Sequence, residues 1–252
     1  MSAILEVSGV SKRFGGIRAV DGATFSLQCP GIFGLIGPNG AGKTTMFDII
    51  CGRHVPDSGE VRFHAERING VAPYRLAREG LARTFQECRV LPDETCMDNV
   101  LFAAQDKRLG REMLQAVSRG TAARRNTGAE ARRLLRLINL ERYADQPAGA
   151  LSYGQRRLLE IVSCLMSKPR ILLLDEPASG INPTLLNTLR DFLIEIYRET
   201  KIVFLIVEHN MEFIMSLASE IVVMHQGRVL AQGAPEQIQS DKSVIDAYLG
   251  QS

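Results

Sequence analysis

The segment Gly37-Pro38-Asn39-Gly40-Ala41-Gly42-Lys43-Thr44 fits the spacing G-x-x-x-x-G-K-[ST] at every fixed position. Each residue type has a chemical reason to be there. Glycines let backbone N–H groups turn toward phosphate oxygens with no Cβ in the way. Lys43 can reach β- and γ-phosphates, and Thr44, with Thr45 beside it at the helix start, offers a hydroxyl to Mg²⁺. The helix that follows points its positive end at the same anion. Average residue frequencies produce the four fixed positions by chance in roughly 1% of chains this long. The apolar run at 31–36 just before the loop reads as a strand, and a helix is predicted over 43–51, stopped by Gly52. Strand, glycine loop and helix make a βα unit suited to a nucleoside triphosphate.

Two further segments carry chemistry. Residues 171–174 form a continuous apolar run that ends in Asp175 and Glu176. In parallel α/β sheets ligands collect at the carboxyl ends of strands, where the phosphate loop also emerges. Asp175 can hold Mg²⁺ through water, and Glu176 can accept a proton from an attacking water. The third segment is Leu151-Ser152-Tyr153-Gly154-Gln155, ahead of an amphipathic helix. Ser152 reads as its N-cap, a second helix end suited to an anion. One triphosphate does not need two such ends from one chain.

These groups need a scaffold, and the rest of the chain supplies one. Strands are predicted at 4–7, 23–27, 60–63, 171–174, 202–207, 221–224 and 228–231, the last two pairing about Gln226-Gly227. Helices are predicted at 155–167, 183–198 and 211–218, and 99–140 reads as helical. The class is α/β with a largely parallel sheet. With 252 residues, 45% hydrophobic and 23% charged, the chain is an ordinary globular one and needs no staples. Thirty basic against 28 acidic residues exclude a strongly basic nucleic-acid binder. The region 107–136 holds nine Lys/Arg against Glu112 and Glu130, yet no aromatic interleaves to stack on bases, so it reads as a solvated helical face, with a polyanion or lipid-headgroup contact as the alternative. Five scattered cysteines with no C-x-x-C suggest neither zinc nor disulfides. No apolar run approaches the ~18–20 residues of a membrane span, and charges at the N-terminus rule out a signal-peptide core.

Taken with the phosphate loop and the Asp175-Glu176 pair, the 151–155 segment resembles the signature motif of ATP-binding-cassette ATPases. The resemblance runs from Ile4 to Leu249. It implies a phosphate-loop fold: a mostly parallel core sheet, an N-terminal antiparallel β subdomain, and a helical subdomain inserted at about 87–165 of a single cassette spanning 1–252. It implies ATP and Mg²⁺ as ligands, with Ser152, Gly154 and Gln155 touching the γ-phosphate held on a second cassette, identical or related. Gln86 is similar to the family's Q-loop glutamine, a ligand of Mg²⁺ and water. His209, otherwise an unremarked surface or capping histidine, falls where the switch histidine belongs. Residues 178–182 resemble the D-loop, and Phe14 stands where an adenine-stacking aromatic, usually tyrosine, is found. Tyr153 replaces the usual glycine and Asn182 the usual aspartate.

Within the family, residues 151–155, 176–183, 207–213 and 247–250 are similar to branched-chain amino acid importers, with urea/amide importers and lipid exporters as alternatives. A soluble cassette working on nucleic acid is the remote one. The implied partners are transmembrane permease subunits, a second ATPase subunit and, indirectly, a solute-binding protein, but no nucleic acid. The implied location is peripheral, at the cytoplasmic face of the inner membrane. Leu91, Pro92, Met97, Val100, Leu101 and Phe102 either line a groove for the membrane partner or are core.

Overall fold

A computed structural model describes residues 3–28, 30–84, 90–104 and 116–249, leaving out the side chains of 116–125 and of Leu249. In chain order the strands and helices are β1 Ala3–Phe14, β2 Ile17–Gln28, β3 Ile32–Ile36, α1 Lys43–Ile50, β4 Ser58–Phe63, β5 Glu66–Arg67, α2 Pro73–Glu79, β6 Leu81–Arg83, α3 Cys96–Ala103, α4 Ala116–Leu137, α5 Tyr153–Met166, β7 Ile171–Asp175, α6 Pro183–Thr200, β8 Val203–Val207, α7 Met211–Met215, β9 Glu220–His225, β10 Arg228–Gly233, α8 Pro235–Ser240 and α9 Lys242–Leu249. They divide into two units, one of 1–83, 170–178 and 196–252, the other of 84–169 and 179–195.

The first unit contains two sheets, ordered β2-β1-β4-β5 and β10-β9-β3-β8-β7-β6. The smaller one is antiparallel throughout. In the larger one β6, β7, β8, β3 and β9 run parallel, and β10 closes the edge antiparallel to β9. β3, β7 and β8 are buried at all five positions, as apolar runs must be when both sheet faces are covered. Register then sets the site. Asp175 pairs with Val207, Val207 with Leu35, and Ile36 with Val223, so these strands end at one level. Beneath them Phe47, Met46, Leu35, Leu173 and Leu205 join one continuous core.

The second unit is helical. α3 packs on α4 and α5, and α4 also meets α5. Asn99 is buried and accepts from the Leu91 amide, while its own amide group donates to the carbonyls of Leu91 and Thr95. That fixes the segment leading into α3. Among the described residues no helix is long and apolar enough to cross a membrane.

The observed elements depart from the predicted ones in extent. The N-terminal strands are 12 residues each, longer than predicted, because bulges let the ladder continue past Gly9 and Gly22. The predicted helix over 99–140 is two helices, α3 and α4, with 105–115 outside the described residues. α7 stops at Met215, three residues early.

Candidate functional site

The phosphate loop leaves β3 at Gly37. Its φ of +150°, and the 2.1 Å that would separate an added Cβ from the Met224 carbonyl oxygen, admit only glycine. Gly42, at φ +96°, caps α1, and a Cβ there would lie 2.3 Å from the Ala19 carbonyl oxygen. Two further amides brace the loop: Ala41 N–H donates to Pro38 O at 3.1 Å, and Gly227 N–H to Ala41 O at 3.0 Å. Lys43 opens α1 and is only 9% exposed. Its Nζ donates to the carbonyls of Gly37 (2.6 Å) and Pro38 (3.0 Å), so the ammonium is held inside the loop. Burial lowers the Lys43 pKa, and the Glu176 carboxylate works against that shift. Thr44 is exposed and Thr45 half-buried on the first turn of the same helix.

Asp175 ends β7 almost fully buried. Glu176 follows with φ +45°, in the left-handed region unusual for a residue with a side chain. Its N–H donates to Val207 O at 2.9 Å, which binds the turn to the end of β8. The carboxylate is 42% exposed, and His209 Nδ1 lies 3.7 Å from its Oε1. A threonine hydroxyl and a buried carboxylate make an all-oxygen donor set, which suits a small hard cation that keeps waters and phosphate oxygens as its other ligands. Among the described residues no group of three or more His, Cys, Asp or Glu could hold a metal by itself. The residues present therefore fit Mg²⁺ carried in with a triphosphate.

Phe14 ends β1 with 44% of its surface exposed. Its ring meets His54 edge-on at 5.1 Å, with the Lys12 ammonium 5.7 Å from the centroid. Lys12 is in turn held by Asp57 at 2.8 Å. An exposed, laterally braced aromatic ring has a face available for stacking.

In the helical unit Ser152 caps α5 as read from the sequence. Its Oγ accepts from Gln155 N–H, and Gln155 Oε1 accepts from Ser152 N–H at 2.9 Å, a reciprocal capping box. Gly154 is buried, and a Cβ there would sit 3.0 Å from Leu185 Cδ1, a tight approach to which the leucine would have to yield. Tyr153 is 44% exposed and leans over Gly180. Of the six residues offered as groove or core, Val100 is core, while Leu91 (46%) and Phe102 (62%) are exposed. Gln86 lies outside the described residues. A groove of about 680 Å³ in the first unit, between α7 and the C-terminal helices, is lined by Met211, Met215, Ile238, Val244 and Tyr248 among others, and by none of the residues above.

Sequence reasoning passed over Glu208. It has no exposed surface, and its carboxylate accepts three backbone amides, those of Ala178, His209 and Asn210. Its place directly behind a buried strand is no signal by itself, since Glu176 stands in the same place behind β7 and is 42% exposed.

Comparison with known proteins settles the family. The model of the ABC transporter family matches residues 20–179. This chain belongs to the ABC transporter family. The cassette is therefore an ATP-hydrolysing component of a transport system, with the α/β architecture the signature segment implied. A second model, described as branched-chain amino acid ATP-binding cassette transporter, matches 228–252. The high-affinity branched-chain amino acid transport ATP-binding protein BraF of Pseudomonas aeruginosa is 41% identical over 252 residues, 99% of this chain and 98% of that protein. LivG of Escherichia coli K12, named for the same transport, is 36% identical over the same shares. Among solved structures, the ADP conformation of MJ1267, an ATP-binding cassette of an ABC transporter, superposes with a TM-score of 0.84 at 30% identity, covering 99% of this chain and 100% of that one.

Proposed function

We propose that this cassette is the ATPase subunit of a branched-chain amino acid importer, attached to transmembrane permeases at the cytoplasmic face of the inner membrane. The observation that carries the reading is the common level at which β3, β7 and β8 deliver the phosphate loop, the Asp175-Glu176 pair and His209. The match of the C-terminal segment to a branched-chain model supports the substrate class.

In this reading the loop amides and Lys43 bind the β- and γ-phosphates, with the N-terminus of α1 behind them. Phe14 stacks on the adenine. Thr44 and Asp175, with Gln86, would hold Mg²⁺, which when bound neutralises phosphate oxygens. Glu176 takes a proton from water as its oxygen attacks the γ-phosphorus, and ADP departs as the leaving group. His209, 3.7 Å from Glu176, holds that water and meets charge building on the γ-phosphate. The Ser152 end of α5, with Gly154 and Gln155, serves the triphosphate of a second cassette. Exposed Leu91 and Phe102 support a permease contact on the helical unit. A solute-binding protein then selects the cargo outside the membrane.

Glu176→Gln tests the chemistry. ATP turnover should fall at least about 100-fold with ATP affinity kept, the range expected for loss of a general base; near-normal turnover overturns the assignment. For the substrate class, ATPase activity of the reconstituted transporter should rise with leucine-, isoleucine- or valine-loaded binding protein. Stimulation by a urea-loaded one instead would move the chain to another importer class.

A further inference from the structure

Glu208 stands directly before His209, and no step above uses it. Its side chain is wholly buried, and it faces backbone on two separate segments. Oε1 accepts from Ala178 N–H at 2.7 Å. Oε2 accepts from His209 N–H at 3.0 Å and from Asn210 N–H at 3.2 Å. Ala178 lies two residues past Glu176, at the start of the segment resembling a D-loop. The amides from 176 to 178 are thereby accounted for: Glu176 donates to Val207 O, residue 177 is proline, and Ala178 donates to Glu208. On the other side Asn210 caps α7 through Phe213 N–H at 3.0 Å. One carboxylate thus joins the strand-end turn that aims Glu176 to the turn that aims His209.

Charge-assisted bonds to backbone amides are roughly twice as strong as neutral ones, and burial keeps water from competing for them. The two oxygens of a carboxylate can each face one segment. An amide of the same shape can accept with one oxygen only and turns its NH₂ toward an N–H on the other side.

We infer that Glu208 is a positioning residue for ATP hydrolysis: it locks the Glu176-Pro177-Ala178 turn to the His209 turn, so that base and histidine move as one piece. This rests on the reading of Glu176 and His209 given above. It also gives the segment entering the 178–182 loop a direct mechanical link to the histidine.

The experiment uses the full chain, with steady-state ATPase, ATP binding and backbone hydrogen exchange. In Glu208→Gln, exchange should rise in peptides covering both 176–180 and 208–213. Its kcat should fall about threefold, and that of Glu208→Ala about tenfold, with the KM for ATP within about twofold of wild type. In a His209→Ala background, Glu208→Ala should lower kcat by clearly less than tenfold, because the share of its effect that passes through that histidine is already lost. Unchanged kcat in both variants overturns the inference. So does a fall in ATP affinity that matches the fall in kcat, or an undiminished effect on the His209→Ala background; either marks a general scaffold role. If Glu208→Ala does not fold, Glu208→Gln decides alone by its exchange and its kcat. Glu176→Gln runs in parallel: if it keeps turnover, the underlying reading fails, whereas a dead Glu176→Gln beside a fully active Glu208→Ala refutes the inference alone.

Discussion

Lys43 carries a charge into a place where water barely reaches, and its titration follows from that. Burial lowers its pKa and Glu176 partly restores it. The lysine therefore loses its proton at a lower pH than an exposed one, and nucleotide affinity should weaken as pH rises on the alkaline side. Glu176→Gln removes the restoring charge, so its weakening should set in at lower pH, which a fluorescent-nucleotide titration across pH would read. For the nucleotide-free chain the sign reverses: between the folded and unfolded pKa values the unfolded state binds more protons, so stability rises with pH there. Tyr248 offers a contrasting case. Its hydroxyl is buried and meets no hydrogen-bond partner of good geometry among the described residues; burial raises its pKa, and a weak contact with the Gly37 backbone opposes the rise. Tyr248→Phe should therefore be neutral or stabilising by up to about 1 kcal/mol in thermal melts, since a buried unsatisfied group is a liability; a loss of 2 kcal/mol or more would mean the hydroxyl is bonded. The phosphate loop was legible in the sequence at its fixed positions, because a side chain at Gly37 or Gly42 would run into backbone carbonyls and Lys43 sends a long cation back into the loop. Glu208 was not, because its partners are main-chain amides, which leave no trace in residue type.

At the scale of elements, what the sequence made plain was burial pattern. β3, β7 and β8 are short apolar runs with no solvent face, and strand is the state that suits five such residues between turns. The short helices α2, α8 and α9 and the three-residue β6 went unread. Their inward residues, Leu76 in α2 and Ile238 in α8 among them, are too few to set a period, and contacts made after folding decide their state. The start of α5 was legible for a local reason: its capping box is written within four consecutive residues. Ser152→Ala should cost about 1 kcal/mol through the lost cap. For a chain of this size that is a fall in melting temperature of about 2–4 °C, readable by calorimetry. If Ser152 also touches a partner's phosphate, the same variant loses ATPase activity beyond what that loss of stability explains, and Ser152→Asp, a good cap with the wrong charge, separates the two effects.

For the whole molecule, the proposed arrangement makes each chain bring one phosphate loop and one α5 end to a pair of shared sites. A chain with Lys43→Ala and a chain with Gly154→Asp are each expected to be inactive alone. Mixed, they would form pairs in which one site combines an intact loop with an intact helix end. Part of the ATPase activity should return, about a quarter of the wild-type value if pairing is random and sites act independently; no recovery on mixing would argue for sites complete within one chain, or for sites that fire only together. The packing of Gly154 against Leu185 makes a fold control necessary, and circular dichroism of the Gly154→Asp chain supplies it.

The segment matching the branched-chain model begins at Arg228, inside the body of the protein. It enters the central sheet at once as β10, and Arg228 pairs with Asp21 at 2.6 Å. The turn just before it donates Gly227 N–H to Ala41 of the phosphate loop. The mark of lineage is thus a strand, bonded at its root to the nucleotide-binding loop. A graft between cassettes of different transporters that exchanged only this stretch would have to rebuild a sheet edge and a salt bridge, and would alter the surroundings of the triphosphate in doing so.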